Sequence, residues 1–503
     1  MVKTFLNNVF HFNAYKPSNI IKIFFINLLY LITSINCYIK LPVKYYPVKI
    51  FNETNPSNTM HNLVIQRLYA TMELGTPKQT IQIPIEFETS DFYISKYDTK
   101  IYDQKYNLFK FNHFNEKSSN TISYIETDDN LYYGVNFFIA STAKDYFYFE
   151  GKKTQIEFYL AEHLTETMPG ELGLQIYPIT DLNTAFDSIE KSFMKKIKNS
   201  GMINNYVWSI LYKKTNNNNF NTKENDAYLY IGDYLHEIDK KDLINDKIYD
   251  NDKLTSINAY IYQNIVKGEF EMNKLIIYRN NNPLDIIKEI ELKRNYLRIK
   301  LDHNFAGIQG SEIIRPFLEE NLFTKSNNCN KDTFSYKGKF YFYYCKNNPT
   351  TIKNIKSKFP TLQFTHQDFN FNFTIKGDDL FVENGDYVYC LMIFEDYKKY
   401  EWRLGRPFLN KYTFMTDQDG KKILFYSIDD EVTYRGLKTA TLIIIIFFLV
   451  IIFSFLGFLL GRKIYRIRVK RHANVLEDDF EYTPPELKYK KGSKIEMSNK
   501  LYS

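Results

Sequence analysis

Short alternating runs of aromatic and aliphatic residues fill the chain from Leu63 to Tyr426, and Asn, Asp and Gly separate them. Three such runs are Ile81–Ile85, Tyr146–Phe149 and Tyr228–Ile231. Alternation with a period of two is typical of half-buried strands, and Tyr, Phe and Ile favour pleated surfaces. The pattern therefore predicts an all-β protein with few short helices.

Helical stretches are few in this region. The best candidates are Thr184–Lys198 and Gly310–Asn321. The Asn-rich stretch Asn216–Asn225 is typical of a surface loop, because Asn favours turns over regular structure.

Composition narrows the functional classes. The net charge of +7 is small for 503 residues, and the Lys and Arg residues are spread along the chain. Nucleic-acid binding needs a concentrated basic stripe, and the one basic cluster lies beside an apolar segment. The four cysteines form no CxxC pair, which argues against zinc ribbons and thioredoxin-type sites. We expect no nucleic acid, metal or cofactor.

Two apolar segments predict the topology. The run Ile23–Ile35 is too short for a comfortable membrane span and suits a signal-peptide core, so residues 1–37 are predicted to be a signal peptide cleaved near Cys37. An uncleaved anchor is the alternative. The uncharged segment Ala440–Leu460 is long enough to span a hydrocarbon core of ~30 Å.

The orientation follows from the basic residues after the second segment. They are Arg462, Lys463, Arg466, Arg468, Lys470 and Arg471. Because cytoplasmic flanks carry the excess of Lys and Arg, we expect a type I single-pass protein with a cytoplasmic tail at 461–503. The ectodomain would then lie in the secretory pathway or at the cell surface, where disulfides are permitted. Asn52 and Asn372 begin glycosylation sequons.

A series of short motifs runs through the alternating region in a definite order. In the first half they are Leu68–Gln79, Phe87–Ser90, Gly170–Leu174, Trp208–Tyr212 and Asp226–Gly232. In the second half they are Ile299–Phe305, Phe359–Phe364, Glu401–Leu409 and Phe414–Phe425. Together they resemble the pepsin-like eukaryotic aspartic proteases of the plasmepsin-like kind, over about 370 residues.

This resemblance implies a bilobal β fold with a peptide- or protein-binding cleft between the lobes. The lobes would span 63–213 and 214–430, preceded by an N-terminal segment at 38–62. In the family, two aspartates meet at the pseudo-dyad and share one proton, because two like charges at that distance cannot both ionise. One carboxylate activates a water while the protonated one polarises the scissile carbonyl.

The matching triplets in this chain depart from the Asp-Ser/Thr-Gly pattern of the family. The first is Glu88-Thr89-Ser90 and the second begins at Asp302, so the resemblance implies Glu88 and Asp302 as the catalytic pair. Glu88 adds a methylene, and a misplacement near 1 Å can cost about a hundredfold in rate. Ser90 adds a Cβ where the family has glycine.

The second triplet continues with His303 and Asn304. Asn304 is a mild change because Asn tolerates left-handed geometry. His303 places an imidazole where a small hydroxyl should support the dyad. It could pair with a carboxylate and hold it ionised, which would oppose proton sharing.

Three further residues fall at substrate-binding positions of the resemblance. Tyr124 matches the flap tyrosine, and its alternative is one more strand aromatic. Glu171 and Arg403 replace aliphatic residues before Leu-Gly in the two halves, where the family lines its pockets. They could select charged side chains, pair with each other across the dyad, or point to solvent.

The resemblance also implies a disulfide between Cys345 and Cys390, with Cys329–Cys345 as the alternative. For function, the many altered supporting positions favour a catalytically impaired protein that binds a peptide or protein partner. An active atypical endopeptidase using Glu88 and Asp302 is the alternative, and a structural adhesin is a third class.

Overall fold

The computed structural model describes part of the chain. The described residues are 37–48, 51–53, 55–96, 114–133, 136–149, 152–161, 170–176, 192–213, 227–245, 247, 249–262, 265–279, 284–291, 297–324, 328–369, 372–396, 401–426 and 461–467. The chain divides into two compact units, 1–428 and 429–503.

Strands dominate the first unit, as the alternating pattern predicts. In its first half they are β1 (Ile39–Pro47), β2 (Gln66–Leu74), β3 (Gln79–Glu86), β4 (Phe92–Ser95), β5 (Ser123–Tyr133), β6 (Asn136–Phe149), β7 (Lys152–Ala161), β8 (Gly170–Gly173), β9 (Val207–Tyr212) and β10 (Ala227–Ile231). The three alternating runs Ile81–Ile85, Tyr146–Phe149 and Tyr228–Ile231 lie in strands β3, β6 and β10.

The second half is also built from strands, many of them short. They are β11 (Leu254–Asn258), β12 (Ile261–Tyr262), β13 (Ile265–Val266), β14 (Glu269–Met272), β15 (Lys274–Tyr278), β16 (Ile286–Glu291), β17 (Leu297–Leu301), β18 (Ile308–Gly310), β19 (Cys329–Ser335), β20 (Lys339–Lys346), β21 (Thr361–Thr365), β22 (Phe373–Ile375), β23 (Phe381–Asn384), β24 (Tyr387–Glu395), β25 (Glu401–Leu404), β26 (Phe414–Asp417) and β27 (Lys422–Tyr426).

The described helices are short, and the one predicted from Gly310 starts later than expected. The α-helices are α1 (Pro56–Val64), α2 (Phe193–Asn199), α3 (Arg315–Asn321), α4 (Pro349–Lys358) and α5 (Arg406–Leu409). The start predicted for the helix Gly310–Asn321 was wrong, because Gly310 is the last residue of β18. The helix begins at Arg315, and Pro316 occupies its first turn, where proline is favourable. Of the other predicted helix, residues 184–191 lie outside the described ranges.

The described strands form one large sheet and three smaller ones. The large sheet has the order β11-β27-β26-β9-β10-β1-β2-β3-β8-β4-β7-β6-β5, so strands from both halves meet in it. A second sheet has the order β14-β17-β25-β18-β24-β20-β19, with β23 on β24. The others are β16-β15-β21-β22 and the pair β12-β13. This mostly β architecture with few helices is consistent with the predicted pepsin-like fold.

The segment predicted to precede the first lobe is built into the fold. Strand β1 lies between β10 and β2 in the large sheet and buries alternate side chains. Helix α1 begins where the Asn55 side chain accepts the Asn58 N–H and Pro56 occupies the first turn. Its residues Met60 and Val64 pack in an apolar cluster with residues of the second half. One of these is Phe305, which belongs to the loop that follows Asp302.

The disulfide joins Cys329 to Cys345, so the predicted Cys345–Cys390 bridge was wrong. Strands β19 and β20 are antiparallel neighbours and place Cys329 directly opposite Cys345, with 4.0 Å between the Cα atoms. Cys390, on β24, lies opposite Tyr343 instead and remains a buried free thiol. Burial raises the pKa of this thiol to about 12.

Several sequence predictions concern residues that are exposed or not described. Asn52 and Asn372 are both exposed, as glycosylation requires, and their modification stays a prediction. In the second unit, residues 461–467 are helical. Within the described ranges no helix is both long and apolar enough to span a membrane, and the predicted span Ala440–Leu460 lies outside those ranges.

Candidate active site

Asp302 lies at the end of β17, where the chain turns away from the sheet. The residue before it, Leu301, lies opposite Leu404 of the parallel strand β25. The Asp302 N–H donates to the Leu404 carbonyl oxygen at 3.1 Å. The acid is thereby held against the corner formed by Leu404 and Gly405.

The first half of the chain repeats this arrangement around Glu86. Ile85 lies opposite Leu172 of the parallel strand β8, as Leu301 lies opposite Leu404. Six residues after each acid a new strand begins, and its first residue pairs with the same leucine: Phe92 with Leu172, and Ile308 with Leu404. Two independent strand registers therefore make Glu86 the positional equivalent of Asp302.

Two glycines show the same equivalence. A Cβ on Gly173 would collide with the backbone of Thr89 and Asp91, and a Cβ on Gly405 with the backbone of Phe305 and Gly307. Thr89 and Asp91 lie three and five positions after Glu86. Phe305 and Gly307 lie three and five positions after Asp302. The two loops pack on equivalent corners that only glycine fits.

The position predicted for the first catalytic acid thus differs from the one that the strand registers give. Glu88 lies two residues beyond the end of β3, while Glu86 occupies the place equivalent to Asp302. A sequence signal for this exists. Three alternate buried aliphatic residues directly precede the acid in both halves: Ile81, Ile83 and Ile85 before Glu86, and Leu297, Ile299 and Leu301 before Asp302.

Asp302 is ion-paired with Arg403. Its carboxylate oxygen Oδ2 accepts from Arg403 Nε at 2.6 Å, and Oδ1 accepts the Asn304 N–H at 2.9 Å. Burial alone would favour the neutral acid, but Arg403 and then Lys300 outweigh it and hold the pKa of Asp302 below its usual value. Asp302 is therefore an ionised, structurally satisfied carboxylate.

Glu86 is ion-paired with a different arginine, Arg67, on β2. Both side chains are largely buried, with relative exposures of 20% and 22%. Burial raises the pKa of Glu86, the Arg67 guanidinium lowers it in part, and the charges of Asp302 and Glu88 raise it further. Each of the two equivalent acids thus has its own permanently charged guanidinium as partner.

Glu88 connects the first and second halves of the chain through two lysines. Its carboxylate accepts from Lys267 Nζ at 2.6 Å and from Lys300 Nζ at 3.0 Å, and both lysines belong to the second half. Burial would raise the pKa of Glu88, but Lys300 and Lys267 outweigh it and lower that pKa. The side chain is 40% exposed, so this bridge lies toward solvent.

His303 turns away from the carboxylates, so the predicted imidazole–carboxylate pair is not formed. Its Nδ1 is hydrogen-bonded to the Tyr212 hydroxyl at 2.7 Å, and Tyr212 is hydrogen-bonded to the Tyr45 hydroxyl at 2.9 Å. The ring is 3% exposed and packs against Trp208 and Phe414. Burial lowers the pKa of His303 to about 3, so the ring is neutral at physiological pH.

The other predicted support residues have structural partners. The Asn304 side-chain oxygen Oδ1 accepts the Leu68 N–H at 3.0 Å, which ties the second loop to β2. Thr89 Oγ1 donates to Glu171 Oε1 at 2.5 Å, and Ser90 is buried. The bonds of Asn304 and Thr89 tie the two loops to neighbouring strands.

Glu171 and Arg403 were predicted to pair across the dyad, to select charged groups or to point to solvent, and each instead binds a residue in its own half of the chain. Glu171 is 5% exposed and bonds Thr89, whereas Arg403 bonds Asp302. In the part of the chain described here, Asp302 is the one ion-pair partner of Arg403. Neither residue points to bulk solvent with a free charge.

Tyr124 lies near the start of β5, on the hairpin that β5 forms with β6. Its side chain is 48% exposed, and the Lys96 ammonium lies 5.7 Å from the centre of its ring. It does not line the cavity beside the acids. A substrate-binding role for Tyr124 stays a prediction.

A cavity of about 470 Å³ opens beside the acids. Its lining residues come from both halves of the first unit: Val48, Ile65, Gln66, Arg67, Glu86, Phe87, Glu88, Trp208, Val266, Gly268, Lys300, Leu301, Asp302, His303, Asn304, Tyr336, Lys337, Arg403 and Phe414. Aromatic and aliphatic side chains form part of the wall, and charged side chains form another part.

Fold and site together define a mostly β protein in which two equivalent acidic loops, packed on Leu-Gly corners, face one cleft. Residues 67–229 match the family model described as eukaryotic aspartyl protease. This match supports assignment of the chain to the pepsin-like aspartic protease family, and Glu86 and the Gly173 corner both lie within it. A comparison with curated proteins gives no match for this chain.

Proposed function

We propose that this protein is a catalytically inactive member of the pepsin-like aspartic protease family that binds a peptide or protein segment in its cleft. One observation carries the proposal: both equivalent acids are ion-paired with arginines, Glu86 with Arg67 and Asp302 with Arg403. General acid–base hydrolysis by two carboxylates needs one shared proton and an accessible water. Two guanidinium groups that stay charged at all working pH values favour the ionised form of each acid and so oppose the sharing of a proton.

The test is a cleavage assay on the purified full chain in detergent. A diverse peptide library is incubated with wild type and with Asp302→Ala from about pH 3 to 7, and new termini are read by mass spectrometry. We expect that every cut made by wild type, if there is any, is also made by Asp302→Ala. A set of wild-type cuts absent from the variant would overturn the proposal.

The second candidate is an active atypical endopeptidase. One observation favours it: the pKa of Glu86 is raised by burial, while that of Asp302 is lowered chiefly by Arg403 against the effect of burial. Divergent pKa values are the usual mark of an acid and base pair. Glu86 would then replace Glu88 as the partner of Asp302. The same assay with Glu86→Gln and Glu88→Gln distinguishes them, because only loss of the functional acid abolishes cuts.

For localisation, we propose a type I membrane protein of the secretory pathway or cell surface, anchored by Ala440–Leu460. The Cys329–Cys345 disulfide supports an oxidising compartment for the ectodomain. Protease protection of sealed microsomes tests this topology: antibody epitopes before residue 430 should survive, and an epitope in 461–503 should be digested. Digestion of both, or survival of the tail alone, contradicts it.

A further inference from the structure

The cavity beside the acids combines an aromatic wall with a cationic rim. Phe87 and Trp208 are in ring contact, with centroids 5.3 Å apart, and Phe414 packs on Trp208 at 6.2 Å. All three line the cavity, together with Leu301 and Val266. This wall suits an apolar side chain.

The cations on the cavity exceed the carboxylates that neutralise them. Arg67 and Arg403 are each matched by one acid, Glu86 and Asp302. Lys300, by contrast, shares the single carboxylate of Glu88 with Lys267. Among the residues that line the cavity, four are cations, Arg67, Lys300, Lys337 and Arg403, and three are carboxylates, Glu86, Glu88 and Asp302.

Among these described cations, Lys337 is the one without an ion-pair partner. It lies exposed at the turn between β19 and β20 and lines the cavity. Among the described residues no carboxylate forms an ion pair with Lys337. Its ammonium nitrogen lies 5.8 Å from the centre of the Tyr336 ring. Its backbone has a positive φ angle of 50° in this turn.

We infer that the cleft recognises a peptide segment in which an apolar side chain adjoins an acidic one. The apolar side chain lies against Phe87, Trp208 and Phe414, and the carboxylate binds between Lys300 and Lys337. This inference rests on the proposed cleft-binding function and adds the chemistry of the ligand. Charge complementarity of this kind gives specificity and a salt-dependent affinity.

The test uses the full chain in detergent and three fluorescent peptides in one Gly/Ser frame, carrying leucine–glutamate, leucine–glutamine or leucine–lysine at the centre. Fluorescence polarisation gives Kd for each. We expect the glutamate peptide to bind at least about tenfold more tightly than the glutamine peptide at 50 mM salt, a difference of about 1.4 kcal/mol. At 300 mM salt the difference should shrink.

Three variants locate the carboxylate site. Lys300→Gln and Lys337→Gln should each remove most of the preference for glutamate, and exposed Lys337 can be replaced without disturbing the fold. Lys339→Gln is the matched control, since Lys339 is exposed on the same hairpin, contacts the Tyr341 ring and does not line the cavity. It should leave the preference unchanged.

The outcomes separate the two proposals. Equal binding of the glutamate and glutamine peptides, or a preference untouched by Lys300→Gln and Lys337→Gln, overturns the inference while leaving cleft binding intact. Binding of none of the three peptides counts against both the inference and peptide binding in the cleft.

Discussion

Arg403 contacts Asp302 through two nitrogen atoms, Nε and Nη2, each 2.6 Å from the same carboxylate oxygen Oδ2. The guanidinium also lies over the Phe305 ring, 4.5 Å from its centre, so the arginine is held in place from two sides. A carboxylate in this geometry is kept ionised. The pair fits a stabilised loop better than a reacting group.

Replacing Arg403 by leucine should destabilise the fold at neutral pH. Removal of one partner of a buried ion pair leaves an uncompensated charge and costs about 3–5 kcal/mol. In Arg403→Leu the folded-state pKa of Asp302 should rise above its unfolded value, so the cost is largest at pH 7 and shrinks as the pH falls through that pKa. Thermal unfolding at pH 7 and 4, followed by the fluorescence of the two tryptophans, measures this.

The control is the double variant Arg403→Leu with Asp302→Asn, which removes both charges. It should recover much of the lost Tm at pH 7, because a neutral pair in this place leaves no buried charge. A double variant as unstable as Arg403→Leu alone would show that packing, and not charge, explains the loss.

Glu88→Gln should have a much smaller effect than Arg403→Leu. The bridge from Glu88 to Lys267 and Lys300 is partly exposed, and exposed ion pairs contribute little after solvent and salt screening. The Tm should fall slightly at low salt and match wild type at high salt, as measured in 20 mM and 500 mM NaCl. A large, salt-independent loss would contradict this account.

His303 should make the fold sensitive to mild acid. The pKa of His303 is about 3 in the folded protein, because the ring is buried, and about 6.5 when unfolded. The unfolded state therefore binds one more proton between these values, so stability rises with pH across this window and is lost on acidification. A difference of one bound proton changes the free energy of unfolding by about 1.4 kcal/mol per pH unit.

The measurement is Tm at several pH values between 3.5 and 7 for wild type and His303→Phe. The variant keeps the aromatic packing and removes the titrating group, so its curve should be flatter. It should lose some stability at pH 7, since the Tyr212 hydroxyl loses one hydrogen-bond partner. Parallel curves for the two proteins would rule out His303 as the source of the acid sensitivity.

The disulfide should map to Cys329 and Cys345. Non-reducing peptide mapping should recover these two cysteines in one linked species, and Cys390 should react with iodoacetamide only after denaturation because it is buried. Cys345→Ser should cost ~3 kcal/mol, the value for a loop of about this length, whereas Cys390→Ala should cost less. A Cys345–Cys390 link would contradict the strand register.

The strand pattern was the most predictable part of the fold. The alternation of apolar and polar residues along a strand is visible in the sequence itself, so the stretches in β3, β6 and β10 could be predicted from it. Helix starts were harder: Gly310 begins a plausible helical stretch, yet pairing with β24 makes it the end of a strand. Sheet partners distant in sequence decided that boundary.

Local sequence by itself determined the strands, the family resemblance and the presence of acidic residues followed by altered support positions. Only the tertiary structure decided which acid is equivalent to Asp302, because that depends on the register of β3 against β8 and of β17 against β25. The same holds for the partners of Cys345, Arg403 and His303. Each partner lies on, or directly after, a different strand, and contacts between strands depend on how the whole chain pairs and packs.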